Sequence, residues 1–178
     1  MEKKNKKIAL LGAESTGKTT LCQQLAKHYN TLFVPEFARQ YFDIHDINNY
    51  SITDLDIIAR KQIELEDQYI LQANKILICD TTLLTIKIWS LFKFNTVSDF
   101  ISNSITQMNY DLFLISNNDV PWIQDKQRKD ENIRKHIFDM NQTELQKINA
   151  NYFIIKGINE TKLENAKAFI DSFLITHS

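Results

Sequence analysis

The stretch GAESTGKT at positions 12–19 has the residue types and the spacing of a phosphate-binding loop. It matches the pattern G-x-x-x-x-G-K-[ST] in full. The chain has only three glycines, and two of them stand in this stretch, five residues apart. Such a loop turns its N–H groups inward around phosphate oxygens, and the helix that follows adds partial positive charge at its N-terminus. The stretch therefore predicts binding of a nucleoside triphosphate.

Individual side chains of this loop have distinct expected roles. Lys18 would reach the β- and γ-phosphates, and the hydroxyl of Thr19 would ligate Mg²⁺. Asp80 follows the apolar run ILIC. Its carboxylate would stand at the carboxyl end of a strand and hold the metal directly or through water, or else cap the next helix. The expected ATP-binding residues of the loop are Gly12, Ala13, Glu14, Ser15, Thr16, Gly17, Lys18, Thr19 and Thr20.

The stretch VPEFARQY could serve the acceptor of a phosphoryl group. Pro35 ends a predicted strand and places Glu36 at the same sheet edge as the loop, where a carboxylate could orient or deprotonate a hydroxyl. Arg39 lies three residues on, so it could pair with Glu36 or touch the acceptor. Phe37 and Tyr41 offer aromatic surface to a flat ring. The alternative is an ordinary ion pair beside two core aromatics.

Residues 118–134, which begin NDVPWIQDKQR, are predicted to form a lid after the fourth strand. Arg128 could close onto ATP and neutralise charge on the transferring phosphoryl group, or it could form a solvated salt bridge. Arg134 is a possible second clamp. Trp122 could stack on the acceptor base or anchor the lid in an apolar seat. Lys18, Glu36, Asp80 and Arg128 are thus the expected catalytic set.

Three further residues near the later strands are candidates for the site. Asp119 and Asp125 could hold the arginines in place or approach Mg²⁺. Gly157 follows the fifth predicted strand, and a glycine there lets the backbone approach a nucleotide base. A plain turn at Gly157 is an equal alternative.

The elements that must position these residues can be read from apolar runs and helical spacing. Strands are predicted at 8–11, 32–34, 75–80, 110–116 and 152–156. Helices are predicted near 18–29, 53–73, 82–93, 97–108, 129–149 and 161–175, with Thr53 as a cap. Buried strands that alternate with helices are typical of a parallel sheet covered on both faces. We therefore predict a single α/β domain over 1–178, with a five-stranded sheet, three layers and a flexible basic tail at 1–6.

Composition is that of an ordinary globular protein, with 43% apolar and 24% charged residues. A net charge of −1 gives no bulk attraction to nucleic acid or acidic membranes. The apolar run IALL is too short for a signal peptide or a membrane span. Cys22 and Cys79 lack metal-ligand spacing, so we expect two reduced core residues in a cytoplasmic protein.

The other motifs of the chain and its length indicate which class of triphosphate-binding protein this is. A GTPase would need N-K-x-D or T-K-x-D after a late strand, but the chain has NNDVPW and KGINET there. A multimeric motor usually needs more than 178 residues. The size is that of a small-molecule kinase.

Four motifs, GAESTGKTTL, VPEFARQY, ICDTT and DVPWIQDKQR, occur in an order and at intervals that resemble the ribosylnicotinamide kinase domain of the NadR type. This group lies within the small bacterial phosphate-loop ATPases and kinases, whose nucleoside-monophosphate-kinase-like fold the resemblance implies over roughly 7–175. It also implies transfer of the γ-phosphoryl group of ATP to the 5′-hydroxyl of nicotinamide riboside, in NAD biosynthesis. Glu36 would then face the acceptor sugar, Asp80 would stand near the metal, and Arg128 would act from the lid.

Two departures from the NadR-type pattern keep other functions open. Pro35 stands where relatives can carry a tryptophan that suits stacking on nicotinamide, and Lys126 stands where a glycine often follows the second lid aspartate. The alternatives are a kinase for another nucleoside or nucleotide, and an ATP-dependent regulatory module. Because the chain starts shortly before the loop, we do not expect the adenylyltransferase domain that is fused to many relatives.

Overall fold

The computed structural model of the protein describes residues 5–119, 121 and 133–177. The strands of this part are β1 (Lys6–Leu11), β2 (Phe33–Val34), β3 (Ile76–Asp80), β4 (Leu112–Ser116) and β5 (Tyr152–Ile155). The helices are α1 (Lys18–His28), α2 (Phe37–Ile44), α3 (Ile52–Ile70), α4 (Leu83–Phe94), α5 (Asp99–Thr106), α6 (Ile133–Lys147) and α7 (Asn159–Thr176).

The strands form one parallel sheet in the order β2-β3-β1-β4-β5. After β1, the chain forms β2 and β3 on one side of β1 and then β4 and β5 on its other side, so β1 lies between β3 and β4. Ligands of open α/β sheets bind at the carboxyl ends of strands where the order reverses in this way. The register pairs Leu10 with Asp80, which brings Asp80 beside the start of the phosphate loop.

Alternate residues of β1 serve two different cores, as the period of a strand requires. Ile8 and Leu10 pack in a cluster with residues of α1 and α7. Ala9 and Leu11 pack on the opposite face with residues of α4, β4 and α6. The sheet is therefore covered on both sides, and the predicted three-layer α/β fold is confirmed.

Several element boundaries differ from the predicted ones. Strand β1 begins at Lys6, and Asn5 Nδ2 donates to the carbonyl of Ile70 at 3.0 Å, so positions 5 and 6 belong to the fold rather than to a tail. Ser51, not Thr53, caps α3, because its hydroxyl accepts from the N–H of Asp54 while the Asp54 carboxylate accepts from the Ser51 N–H. Helix α2 was not predicted as a complete element.

The two cysteines lie where the sequence predicts. Cys22 in α1 and Cys79 in β3 are fully buried and carry free thiols. Burial raises the pKa of both thiols well above the ordinary value, so they are unreactive core groups. Within the described part of the chain, no helix has the length and apolarity that a membrane crossing would need.

Candidate active site

The backbone of the phosphate loop depends on its two glycines. Gly12 has a φ of 137°, and a Cβ there would come within 2.8 Å of the Ser116 carbonyl oxygen. Gly17 has a φ of 78° and is the N-terminal cap of α1. Thr19 and Thr20 therefore lie in the first turn of α1, with Thr20 exposed. The loop leads directly into a helix N-terminus, which favours anions.

The Lys18 ammonium lies against the carbonyls of this loop. It donates to the Gly12 and Ala13 carbonyls at 3.0 and 2.8 Å. The Thr16 hydroxyl donates to the Ala13 carbonyl at 2.9 Å and tightens the same turn. These bonds hold a buried positive charge at the loop, beside the cavity that Gly12, Ala13 and Lys18 line.

Thr19 and Asp80 form the candidate metal site. The Thr19 hydroxyl donates to Asp80 Oδ2 at 2.6 Å. Asp80 is fully buried, and its Oδ1 has no hydrogen-bond partner among the described residues. Burial, and then the charge of Glu36, raise the pKa of the Asp80 carboxyl. A cation would satisfy the orphaned oxygen and offset the buried charge, and a hydroxyl with a carboxylate suits Mg²⁺, so these residues fit that metal.

The residue after this carboxylate has a strained backbone. Thr81 has a φ of 79°, although its side chain is β-branched, and its N–H donates to the Leu10 carbonyl at 3.0 Å. A left-handed conformation of this kind costs about 1–3 kcal/mol and persists where the surroundings enforce it. The bond to β1 holds Asp80 and Thr81 at the edge of the cavity, which Thr81 also lines.

Glu36 is the N-cap residue of α2, and its carboxylate pairs with Arg39 of the first turn rather than with the main chain of the helix. Arg39 Nε donates to Glu36 Oε2 at 3.0 Å. Both residues line the cavity, as do Lys18 and Gly12. The structure thus brings Glu36 and Arg39 into one cavity with the phosphate loop.

Gln62 of α3, which was not predicted, also lines the cavity and hydrogen-bonds the main chain on either side of Glu36. Its Oε1 accepts from the Phe37 N–H at 3.0 Å, and its Nε2 donates to the Pro35 carbonyl at 3.4 Å. Gln62 is only 2% exposed. The signal in the sequence was a glutamine on the apolar face of α3, at helical spacing from Leu55 and Ile58.

The cavity has a volume of about 390 Å³ and extends from the phosphate loop to an apolar wall. The aromatic residues of this wall are Phe42, Tyr50, Trp89 and Phe92. The Lys93 ammonium also lines it, 3.4 Å from the centre of the Tyr50 ring. Trp89 and Tyr50 were missed because α4 and the segment before α3 reach the site only through tertiary packing.

Phe37 and Tyr41 do not provide the aromatic lining that the sequence predicted. They lie one helical turn apart on the face of α2 that packs in a core cluster with residues of α3 and α4. The Tyr41 hydroxyl donates to Asp54, and its ring stacks on His45. Because α2 is helical, the cavity is lined by Arg39 and Phe42 of the neighbouring face.

The predicted lid falls mostly outside the described residues. Trp122, Asp125, Lys126 and Arg128 all lie there, so their roles stay predictions. Arg134 is described, and it is buried in the first turn of α6.

Asp119 joins the loops that follow β4 and β5. Its Oδ2 accepts from the Gly157 N–H at 2.7 Å, and its Oδ1 accepts from Asn117 Nδ2 at 2.5 Å. The carboxylate therefore binds a main-chain N–H and an amide. That Asp119 holds the arginines in place or approaches Mg²⁺ stays a prediction. Gly157 makes a turn with a φ of 92° at this link.

The strand order, the glycine loop before α1 and the Thr19–Asp80 pair define a phosphate-loop α/β protein. The family described as AAA domain matches residues 7–162, and the chain belongs to this family.

Curated relatives agree with the motif resemblance. The Trifunctional NAD biosynthesis/regulator protein NadR of Salmonella typhimurium is 31% identical over 121 residues. The protein of the same name from Escherichia coli gives the same values. Each match covers 66% of this chain and 30% of the relative, so the chain matches less than a third of the length of either. The predicted resemblance to NadR is thereby confirmed.

Solved structures show the same fold. The crystal structure of NadR protein in complex with NR has a TM-score of 0.81 at 20% identity, over 96% of this chain and 50% of that chain. The NadR complex with NAD and AMP-PNP has a TM-score of 0.78 at 21% identity, covering 96% and 49%. Deoxyadenosine kinase from M. mycoides has a TM-score of 0.66 at 16% identity, covering 93% and 98%.

Proposed function

We propose that this protein is an ATP-dependent kinase that phosphorylates the 5′-hydroxyl of a nucleoside. The observation that carries the proposal is the single cavity that contains the phosphate loop, the Glu36–Arg39 pair and an aromatic wall. Such a cavity would bring the phosphate groups of ATP and an acceptor with a flat ring together at one site. Small-molecule sites are typically concave and apolar with a few convergent polar groups, as here.

The triphosphate would bind through the loop. N–H groups of residues 12–19 and the N-terminus of α1 would cradle the phosphates. Lys18 would exchange its neutral carbonyl acceptors for phosphate oxygens, which is favourable because a bond between two charged groups is stronger. Mg²⁺ would be held by Thr19 and Asp80, and it would supply neutralisation of the phosphate charge.

Glu36 would act on the acceptor hydroxyl. In the transfer, the hydroxyl oxygen forms a bond to the γ-phosphorus, the bond from that phosphorus to the β–γ bridging oxygen breaks, and ADP leaves. The hydroxyl proton passes to the Glu36 carboxylate. Arg39 would fix the orientation of this carboxylate, while Arg128 would neutralise charge on the transferring group from the predicted lid.

Nicotinamide riboside is the acceptor that we favour, with the mononucleotide as product. The support comes from the sequence relatives named NadR and from the fold shared with the NadR protein in complex with NR. The aromatic surface that Pro35 cannot offer would come from Phe42 and Trp89 on the cavity wall. Trp122 would either contact the ring or anchor the lid.

A neutral nucleoside is the second candidate, and Lys93 favours it. Lys93 is an exposed residue that lines the cavity, with its ammonium 3.4 Å from the centre of the Tyr50 ring. The pyridinium ring of nicotinamide riboside is itself a cation, so this charge would disfavour it relative to a neutral base. The fold shared with deoxyadenosine kinase is compatible with such an acceptor.

A coupled ADP-release assay tests the proposal. Nicotinamide riboside, adenosine, deoxyadenosine, cytidine and thymidine would be compared at saturating ATP and Mg²⁺. We expect turnover with nicotinamide riboside well above the ATPase rate without acceptor. Turnover with only a neutral nucleoside would make that nucleoside the acceptor in place of nicotinamide riboside. Background rates with every nucleoside would overturn the kinase proposal.

A further inference from the structure

Lys162, in the first turn of α7, places a buried ammonium group behind the phosphate loop. Its side chain is only 3% exposed. Nζ donates to the Thr16 carbonyl at 2.7 Å and lies 3.5 Å from the Asn117 carbonyl. The sequence motifs did not single out this residue. Its contact joins α7 to the loop over 146 positions of sequence.

We propose that Lys162 is a positioning residue that orients the Thr16–Gly17 peptide of the phosphate loop for ATP binding, an inference that rests on the proposed function. The reason is the planarity of the peptide group. In a trans peptide the carbonyl and the following N–H point in opposite directions. A carbonyl of Thr16 held toward α7 therefore turns the N–H of Gly17 away from α7, for donation to a phosphate oxygen.

The environment of Lys162 is unfavourable for a residue that served packing alone. The acceptors that the structure describes are both main-chain carbonyls, which only partly replace water around an ammonium. Burial, and then the positive charges of Lys18 and Arg134, lower the pKa of Lys162 to about 8, against the opposing effect of Asp119. A buried methionine or leucine would avoid this cost.

A bound triphosphate would raise the pKa of Lys162 and so favour its ammonium form. Among the described residues, the charged groups that face Lys162 are Asp119 after β4, Lys18 of α1 and Arg134 of α6. Negative phosphate charge beside the loop stabilises a nearby cation, so ATP should bind more tightly to the protonated form. Because of linkage, ATP binding near pH 8 should then take up a proton, and affinity should fall as the pH rises through about 8.

The test measures ATP affinity of the full chain by calorimetry with saturating Mg²⁺, from pH 7 to 9.5, in buffers of different ionisation enthalpy. Variants are Lys162→Met, which removes the charge, and Lys162→Arg, which restores it. Lys167→Met is the matched control, since Lys167 lies on the same helix but pairs with Glu164 at 2.7 Å. We expect Lys162→Met to raise the Kd for ATP about 10- to 100-fold, with little change in the KM of the nucleoside.

The pH profile separates positioning from a merely structural role. Wild type and Lys167→Met should lose ATP affinity above about pH 8 and take up a proton on binding there. Lys162→Met should show neither effect. Lys162→Arg should recover ATP affinity, and this affinity should not change with pH. A folded Lys162→Met with wild-type Kd and wild-type pH dependence would overturn the proposal. If that variant does not fold, absence of proton uptake by the wild type overturns it, and uptake supports it. Wild type that binds no ATP overturns both the proposed function and the inference about Lys162. ATP binding with these pH effects, but without phosphorylation of any nucleoside, overturns the kinase proposal and leaves the inference about Lys162 standing.

Discussion

The hydroxyl of Thr19 donates to one carboxylate oxygen of Asp80, 2.6 Å away, while the other oxygen of Asp80 is buried without a hydrogen-bond partner in the described part of the chain. This relationship joins the first turn of α1 to the end of β3. A buried carboxylate with one unsatisfied oxygen is costly, and a cation between the carboxylate and the hydroxyl would remove that cost. The alternative role of Asp80 as a cap of the next helix is wrong, because Thr82 is the N-cap residue of α4 and its hydroxyl accepts from the Leu84 N–H. The pair is therefore better explained as a candidate metal site.

Asp80→Asn should abolish Mg²⁺-dependent turnover while stabilising the protein that has no ligand. Burial and Glu36 raise the pKa of Asp80, so the folded state favours the neutral form. The free energy of unfolding of wild type should therefore decrease as the pH rises from the ordinary carboxyl pKa through the raised pKa of Asp80. The amide of Asp80→Asn does not titrate, so the variant should not show this decrease. Turnover should drop by at least about 100-fold. Urea unfolding at several pH values measures the first effect, and a variant less stable than wild type at pH 7 would contradict it.

Glu36→Gln should lower kcat and leave the Kd for ATP near its wild-type value. An amide can accept a hydrogen bond but cannot take the proton of the acceptor hydroxyl, which is worth about 10²–10⁴-fold. Glu64→Gln is the control, because Glu64 is an exposed residue of α3 that pairs with Lys61. A regulatory ATP-binding module would show no dependence on Glu36, so equal rates for the two variants would favour that alternative.

Gln62→Ala should lower turnover and stability together. It removes the partners of the Phe37 N–H and the Pro35 carbonyl on either side of Glu36. The free energy of unfolding should decrease by about 1–3 kcal/mol, because buried polar groups lose their hydrogen bonds. Gln62→Glu keeps the acceptor for Phe37, so it should retain more kcat than the alanine variant. Identical kcat values for the two variants would show that this hydrogen bond does not position Glu36.

Trp89→Ala should raise the KM of the acceptor roughly tenfold at constant Kd for ATP, since it removes aromatic surface from the cavity wall. Tyr41→Phe is the informative comparison. It removes the hydroxyl that donates to Asp54, so it should lower the free energy of unfolding and leave the acceptor KM unchanged. Steady-state kinetics measures the acceptor KM of both variants, and urea unfolding measures their stability. A raised acceptor KM for Tyr41→Phe, with no change for Trp89→Ala, would indicate that Tyr41 contacts the acceptor.

The sequence predicted what depends on local pattern. The phosphate loop needs two glycines at a fixed spacing, and buried strands are apolar along their whole length, so both were visible. Asp80 was singled out because it ends such a strand. Glu36 was singled out because Pro35 ends the strand before it, and Arg39 because it lies three residues further on, within one helical turn.

The features that were missed depend on tertiary packing. Phe37 and Tyr41 were expected at the acceptor, but the face of α2 that points to the core is decided by α3 and α4. Gln62 and Lys162 are polar residues whose burial follows from distant contacts, so composition alone does not distinguish them from surface residues. Arg128 and Trp122 stay predictions from the motif.

The kinase proposal is tested most directly by measuring the transfer of labelled phosphate from [γ-³²P]ATP to nicotinamide riboside. Wild type and Glu36→Gln are compared. We expect a labelled nucleoside 5′-monophosphate with wild type and at least about 100-fold less with the variant, at equal ATP occupancy. Labelled inorganic phosphate alone, with no labelled product from nicotinamide riboside or any neutral nucleoside, would contradict it.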